Sequence, residues 1–426
     1  MLSYLTEALI GMIDSAMVGR LGATELAAVG FGTIWIWVIF SLLLGTAQGI
    51  QTFVAQADGA GESRVCGAWV WQGFYAVIPV GLLMTIACAW ITEPALAWLG
   101  PSPELQARAA EYIYPRLVGE FFYVVMFVFM SFFRGLEDMR TPLYVVIFVV
   151  LLNGVFDYLL IFGSFGFPEM GVAGAGTATA IATTSGAVVL FAVFQRRLTA
   201  ERYHTRPIAP NTAQIWRFLR TSAPIGGQES MGIASFAVFN TLVARMGDNA
   251  MAASQAFFML LSLSFMQAIG ISIASSTLVG RYVGAGDPDS AANAHHSALK
   301  LGICLAVLVG VLFIAIPGPL MRIFTNDPEV IALGRPLLLL GAFYQFMYAA
   351  YFVAQGSLRG AGDTRWAFAA EVILGWGLFI PTAYYFGVVA KGGLMGAWYG
   401  GSIYVFVLSV LFLWRFRSRA WLKIQI

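Results

Sequence analysis

Long apolar stretches broken by short polar turns make up almost the whole chain. They predict membrane-crossing helices near residues 1–19, 28–54, 68–92, 111–133, 142–163, 172–194, 221–244, 251–280, 300–317, 336–357, 366–388 and 395–414, since about 20 apolar residues in a helix span a hydrocarbon core. The stretch LYVVIFVVLLNGVFDYLLIFG, from Leu143 to Gly163, holds Asn153 and Asp157 near its middle. Four residues apart, they share one helix face. A carboxylate at mid-depth costs roughly 2.5–3.5 kcal/mol on insertion scales, so it points to function by default. The plainer reading is an Asp held by Asn for helix packing.

Composition agrees with a polytopic helical protein: 59% of the 426 residues are hydrophobic and only 11% are charged. Cys66, Cys88 and Cys304 are scattered and imply neither disulfides nor a metal. His204, His295 and His296 are read as lying in connecting segments, which excludes a His-based metal site within the membrane. The first 20 residues lack a basic leader region and carry Glu7 and Asp14, unlike a secretory signal. The first span is short, so either its helix begins at the membrane surface or an upstream piece lies outside this chain. Placing both termini in the cytoplasm leaves only Arg20, Arg108, Arg116, Arg245, Arg322, Arg335 and Lys391 on the outer side. That asymmetry favours this topology over its inverse.

The longest polar stretch, Gln195 to Arg220, reads as a cytoplasmic linker between halves 1–194 and 221–414, with a basic cytoplasmic tail at 415–426. Its arginines suit topology and anionic headgroups. The halves repeat. Val18-Gly19-Arg20 returns as Val243-Ala244-Arg245, Gly59-Ala60-Gly61 as Gly284-Ala285-Gly286, and Arg134-Gly135 with Asp138 and Arg140 as Arg359-Gly360 with Asp363 and Arg365. The offset is 225 throughout (243 less 18), without a gap. Six spans per half make this a parallel repeat, with a binding site expected between the copies, as in secondary transporters. A duplicated scaffold or channel is the plainer reading.

The ordered motifs DSAMVGRLG from Asp14, Gly-Ala-Gly after spans two and eight, RGLED from Arg134, GVAGAGTAT from Gly171 and SLRGAGDTR from Ser357 run along essentially the whole chain. Together they resemble the multidrug and toxic compound extrusion (MATE) transporters. The resemblance implies an all-α membrane protein with twelve transmembrane helices, arranged as two pseudo-symmetric six-helix bundles around a V-shaped central cleft. It implies export of organic, often cationic or amphipathic compounds in exchange for H⁺ or Na⁺. An N-lobe cation site would comprise Asp14, Asn153, Asp157 and Thr179. The family's C-lobe site is broken here, because Gly232 and Tyr348 stand where acids are expected, although Tyr344 is kept. Glu229, nearly a turn from Gly232, is a possible replacement.

Two carboxylates brought together in a low-dielectric cavity cannot easily both ionise, so Asp14 and Asp157 suit a proton that comes and goes. With Asn153 and Thr179 adding neutral oxygens, the same group suits Na⁺. Glu7, about two turns before Asp14, is a possible relay or only an acid near a helix end. Tyr123, Glu229, Tyr344 and Tyr348 are candidates for a substrate cleft, since aromatic faces attract organic cations; aromatic stripes are more often packing. Glu120 and Glu371 also interrupt apolar stretches, and Glu371 is placed near the cytoplasmic surface beside Arg365. No metal site, cofactor, nucleic acid or obligate protein partner is implied, only small organic substrates, a coupling ion and membrane lipid in an inner or plasma membrane. A lipid-linked or polysaccharide precursor flippase of the same superfamily is the alternative. An enzyme is less favoured: the three Lys form no phosphate-binding loop, and no His or Cys site offers a nucleophile.

Overall fold

The computed structural model describes residues 2–99, 102–424 and 426, with side chains from residue 10 onward except those of Leu99 and Leu263. No strand occurs among the described residues. The helices are α1 (Leu2–Val18), α2 (Ala23–Gly59), α3 (Ser63–Leu99), α4 (Pro103–Gly135), α5 (Arg140–Phe162), α6 (Val172–Phe194), α7 (Arg197–Tyr203), α8 (Thr212–Ala244), α9 (Asp248–Gly284), α10 (Pro288–Ala315), α11 (Pro317–Arg322), α12 (Pro328–Gly360), α13 (Thr364–Leu374), α14 (Ile380–Tyr384) and α15 (Gly393–Arg417). α13 and α14 belong to one span, Thr364–Val389. That span is interrupted by π-helical turns at Gly375–Phe379 and Tyr385–Val389. Among the described residues, ten helical stretches are long and apolar enough to cross a membrane. α1 and α8 complete the twelve expected spans.

The chain divides into two compact units, residues 2–226 and 227–426. In the first, α4 lies along α2 and α6, while α5 packs on α6 and α1. In the second, α12 packs on α9, α10 and α15. The repeat is visible in the helix bounds. α9 starts and ends 225 residues after α2 (248 less 23, 284 less 59), and α12 follows α4 with the same offset. The Gly-Ala-Gly turns close α2 and α9 alike, with Gly61 and Gly286 at φ +78° and +70°. Each of these turns returns backbone N–H groups to the last helical carbonyls.

The turn after α12 uses Gly362 at φ +86°, and its counterpart after α4 is Glu137 at φ +64°. A side chain there costs about 1 kcal/mol or more. Glu137→Gly is therefore expected to raise thermal stability by roughly 1 kcal/mol, checked by thermal unfolding of the purified protein. Asp138 in the same turn accepts from Arg140 N and Thr141 N, both at 3.0 Å, so this motif residue starts α5.

Three expectations change. α10 begins at Pro288, so His295 and His296 lie within a helix, and only His204 sits in a connection. Asp287 Oδ1 accepts from Ser290 N at 3.0 Å and starts that helix earlier than hydropathy indicated. Arg116 is no outer-side loop charge: it is buried in α4, 2.8 Å from Glu120. The 195–220 linker is largely ordered against its own unit. Trp71 Nε1 donates to Thr205 O at 2.8 Å, Tyr75 Oη to Ile208 O at 2.8 Å, and Asn211 N to Gln72 Oε1 at 2.8 Å. α8 begins inside that stretch, with Phe218 5.7 Å from Phe53 and Arg217 over Trp69.

Candidate functional site

Four helices of the first unit bring one polar cluster together: α1 supplies Asp14, α5 Asn153 and Asp157, and α6 Thr179. A fifth group, Tyr112 of α4, was not singled out by the sequence. All five are at most 1% exposed. Thr179 Oγ1 donates to Asp14 Oδ2 at 3.2 Å, and Asn153 Nδ2 reaches Asp14 Oδ1 at 3.5 Å and Thr179 Oγ1 at 3.3 Å. Tyr112 Oη is 3.5 Å from Asp14 Oδ2 and 3.1 Å from Thr33 Oγ1. Asp157 stands against Asp14, each carboxyl group acting directly on the other.

Asp14 is therefore well supplied with donors, and Asp157 is not. Among the described residues, neither Asp157 oxygen has a donor while both carboxyls are ionised, and Asn153 Oδ1 has none either. Buried acceptors left this way are costly and rare. A proton between the carboxyls, or a small cation among these oxygens, removes the deficit.

Close helix approach makes the cluster possible. At Gly176 an added Cβ would lie 2.6 Å from Tyr112 O and 2.8 Å from Pro115 Cγ. The small-residue start of α6 thus lets α4 come near enough for Tyr112 to reach Asp14. Gly176→Val is expected to cost about 1–3 kcal/mol by overpacking and to lower transport. Thermal unfolding and solute flux measured on the same preparation check this.

Beside the cluster, Arg116 Nη1 bonds Glu120 Oε2 at 2.8 Å, the two side chains being 7% and 1% exposed. Spacing of i,i+4 within an apolar stretch was the available signal. Of the other candidates, Glu7 lies outside the residues whose side chains are described. Tyr123 is buried beside Phe127. Tyr344 is buried and stacked on Tyr348 at 4.9 Å, and Tyr348 in turn stacks on Phe265 at 4.1 Å.

The second unit holds a different polar cluster. Glu371 Oε2 accepts from Tyr351 Oη at 2.7 Å, from Gln355 Nε2 at 3.4 Å and from Gln228 Nε2. Arg359 Nη2 bonds Gln228 Oε1 and Glu229 Oε1, both at 2.8 Å. Glu229 therefore faces a buried arginine. Glu371 is inside the packed unit and not a surface partner of Arg365. Its signal was a lone acid in an apolar helix, with Tyr351 and Gln355 one turn apart on another.

Two repeated sets of six long helices, with a sealed carboxylate cluster in one of them, define a multi-pass membrane transporter. The MatE family model matches residues 1–159 and 224–385. A relative in Thermotoga maritima, a probable multidrug resistance protein NorM, is 31% identical over 421 residues, covering 98% of this chain and 90% of that protein. The multidrug resistance protein MdtK of Pectobacterium atrosepticum is 29% identical over 427 residues, covering 98% and 92%. A solved MATE structure in the bent conformation superposes with a TM-score of 0.90 at 20% identity, covering 99% of this chain and 94% of that one. A eukaryotic MATE transporter, AtDTX14, gives 0.84 at 20% identity, covering 98% and 93%. The chain belongs to the MatE family, the multidrug and toxic compound extrusion transporters.

Proposed function

We propose that this protein exports small organic compounds, often cationic or amphipathic, in exchange for H⁺ or Na⁺. The ion is taken up at Asp14, Asn153, Asp157 and Thr179. The observation carrying this is the donor deficit: the buried oxygens of Asp157 and Asn153 Oδ1 are unsatisfied as they stand. A site that must gain positive charge to be satisfied, and give it up again, suits ion coupling. The protein sits in an inner or plasma membrane with both termini cytoplasmic, in keeping with its Lys and Arg distribution. The names of the NorM and MdtK relatives support multidrug resistance as its biological use.

Reconstitution into vesicles without ATP tests the reading. An imposed ion gradient is expected to drive ethidium flux above that of protein-free vesicles. Flux equal to that of protein-free vesicles under both H⁺ and Na⁺ gradients would overturn it.

A further inference from the structure

We propose that Glu371, with the tyrosines around it, forms a binding site for an organic cation within the second unit. The three donors from Tyr351, Gln355 and Gln228 converge on Oε2. Among the described residues none donates to Oε1. That oxygen faces Gly232, where an added Cβ would stand 3.5 Å away. One turn beyond Glu371, Gly375 likewise projects nothing, and a Cβ there would meet only Ser235 Oγ at 3.7 Å and the Tyr404 hydroxyl at 3.9 Å. Two glycines thus leave space beside the bare oxygen of a half-buried carboxylate.

Charge and shape both select a cation for that space. The neighbouring cation, Arg359, is engaged by Glu229 and Gln228, so the Glu371 charge keeps no counter-ion of its own in contact. Tyr348, Tyr351 and Tyr404 all feel the Glu371 charge directly, and the Tyr348 and Tyr351 rings are 6.2 Å apart. A carboxylate among aromatic rings, in a medium of low dielectric, is the chemistry that holds an organic ammonium or phosphonium. A bare inorganic cation needs several converging oxygens instead. The missing span-seven acid at 232 is replaced in this way by a carboxylate from span eleven. The inference rests on the export reading only in that the bound cation is a transported solute.

The test is a binding titration of tetraphenylphosphonium into the purified full-length chain in lipid nanodiscs, with no gradient present. Triphenylphosphine oxide serves as the neutral control. Glu371→Gln is expected to weaken tetraphenylphosphonium about tenfold or more while leaving the neutral compound within about twofold. Gly232→Leu, which keeps every donor to Oε2 but fills the space before Oε1, is expected to do the same, and it carries the test if Glu371→Gln fails to fold. Unchanged phosphonium affinity in the folded variants, equal loss of both compounds, or no saturable binding by the unmodified chain would overturn the proposal. Asp157→Asn is expected to bind normally here, so a failure of ion-coupled export leaves this result readable on its own.

Discussion

Asp157→Asn reduces gradient-driven export to the level of protein-free vesicles, and Asp14→Asn does the same. An amide has no proton to exchange at any working pH and carries no charge to neutralise Na⁺. It also brings its own N–H donors, which satisfy the oxygens that now demand a cation. Both variants should fold, because Asn nearly matches Asp in volume and the cluster then has donors to spare. Thermal stability at or above that of the unmodified chain, with coupling lost, is the signature of a site built for ion exchange over packing. Thr179→Ala removes a single 3.2 Å bond to Asp14. A bond to a charged group is worth about 1.5–3 kcal/mol, so a partial loss of roughly tenfold is expected, read from flux at matched protein density. Full activity in Asp157→Asn would remove the basis for the assignment.

Glu120→Leu produces the largest loss of stability expected from any single change in the first unit. It leaves Arg116, 7% exposed in its side chain, without its carboxylate. Breaking one partner from a buried ion pair costs about 3–5 kcal/mol. Replacing both, as Arg116→Met with Glu120→Leu, removes the stranded charge and is expected to restore most of that loss. Thermal unfolding of the single and double variants forms the cycle. A double variant as unstable as Glu120→Leu would show that Arg116 is held mainly by something other than Glu120.

Helix order, the 225-residue repeat and the four-residue N-terminal cluster were legible because each rests on local or periodic information. Apolar length marks a span, and a carboxylate at mid-depth marks a site. Asp14, Asn153, Asp157 and Thr179 were assembled through family motifs, and the structure brings them within hydrogen-bonding range. Tyr112 was not legible, since a tyrosine in an aromatic-rich helix carries no signal until Gly176 lets α4 approach α6. The Glu371 cluster was missed for a similar reason. Gln228, Tyr351 and Gln355 are ordinary helical residues, and only tertiary packing turns them toward one carboxylate. His295 was misplaced because hydropathy cannot see a polar first turn started by Asp287. In the structure its ring bonds Ser357 at 2.8 Å and stacks on Phe416.

Ion counter-movement measured during solute flux tests the central claim most directly. Vesicles carrying the protein are loaded with tetraphenylphosphonium, and its outward movement is followed together with internal pH and uptake of radiolabelled Na⁺, no ion gradient being imposed. The account predicts that solute leaving the unmodified protein drives one of the two ions in the opposite direction. It also predicts that this counter-movement vanishes in Asp14→Asn and in Asp157→Asn. Solute flux with neither ion moving, or counter-movement that persists in both variants, would contradict it.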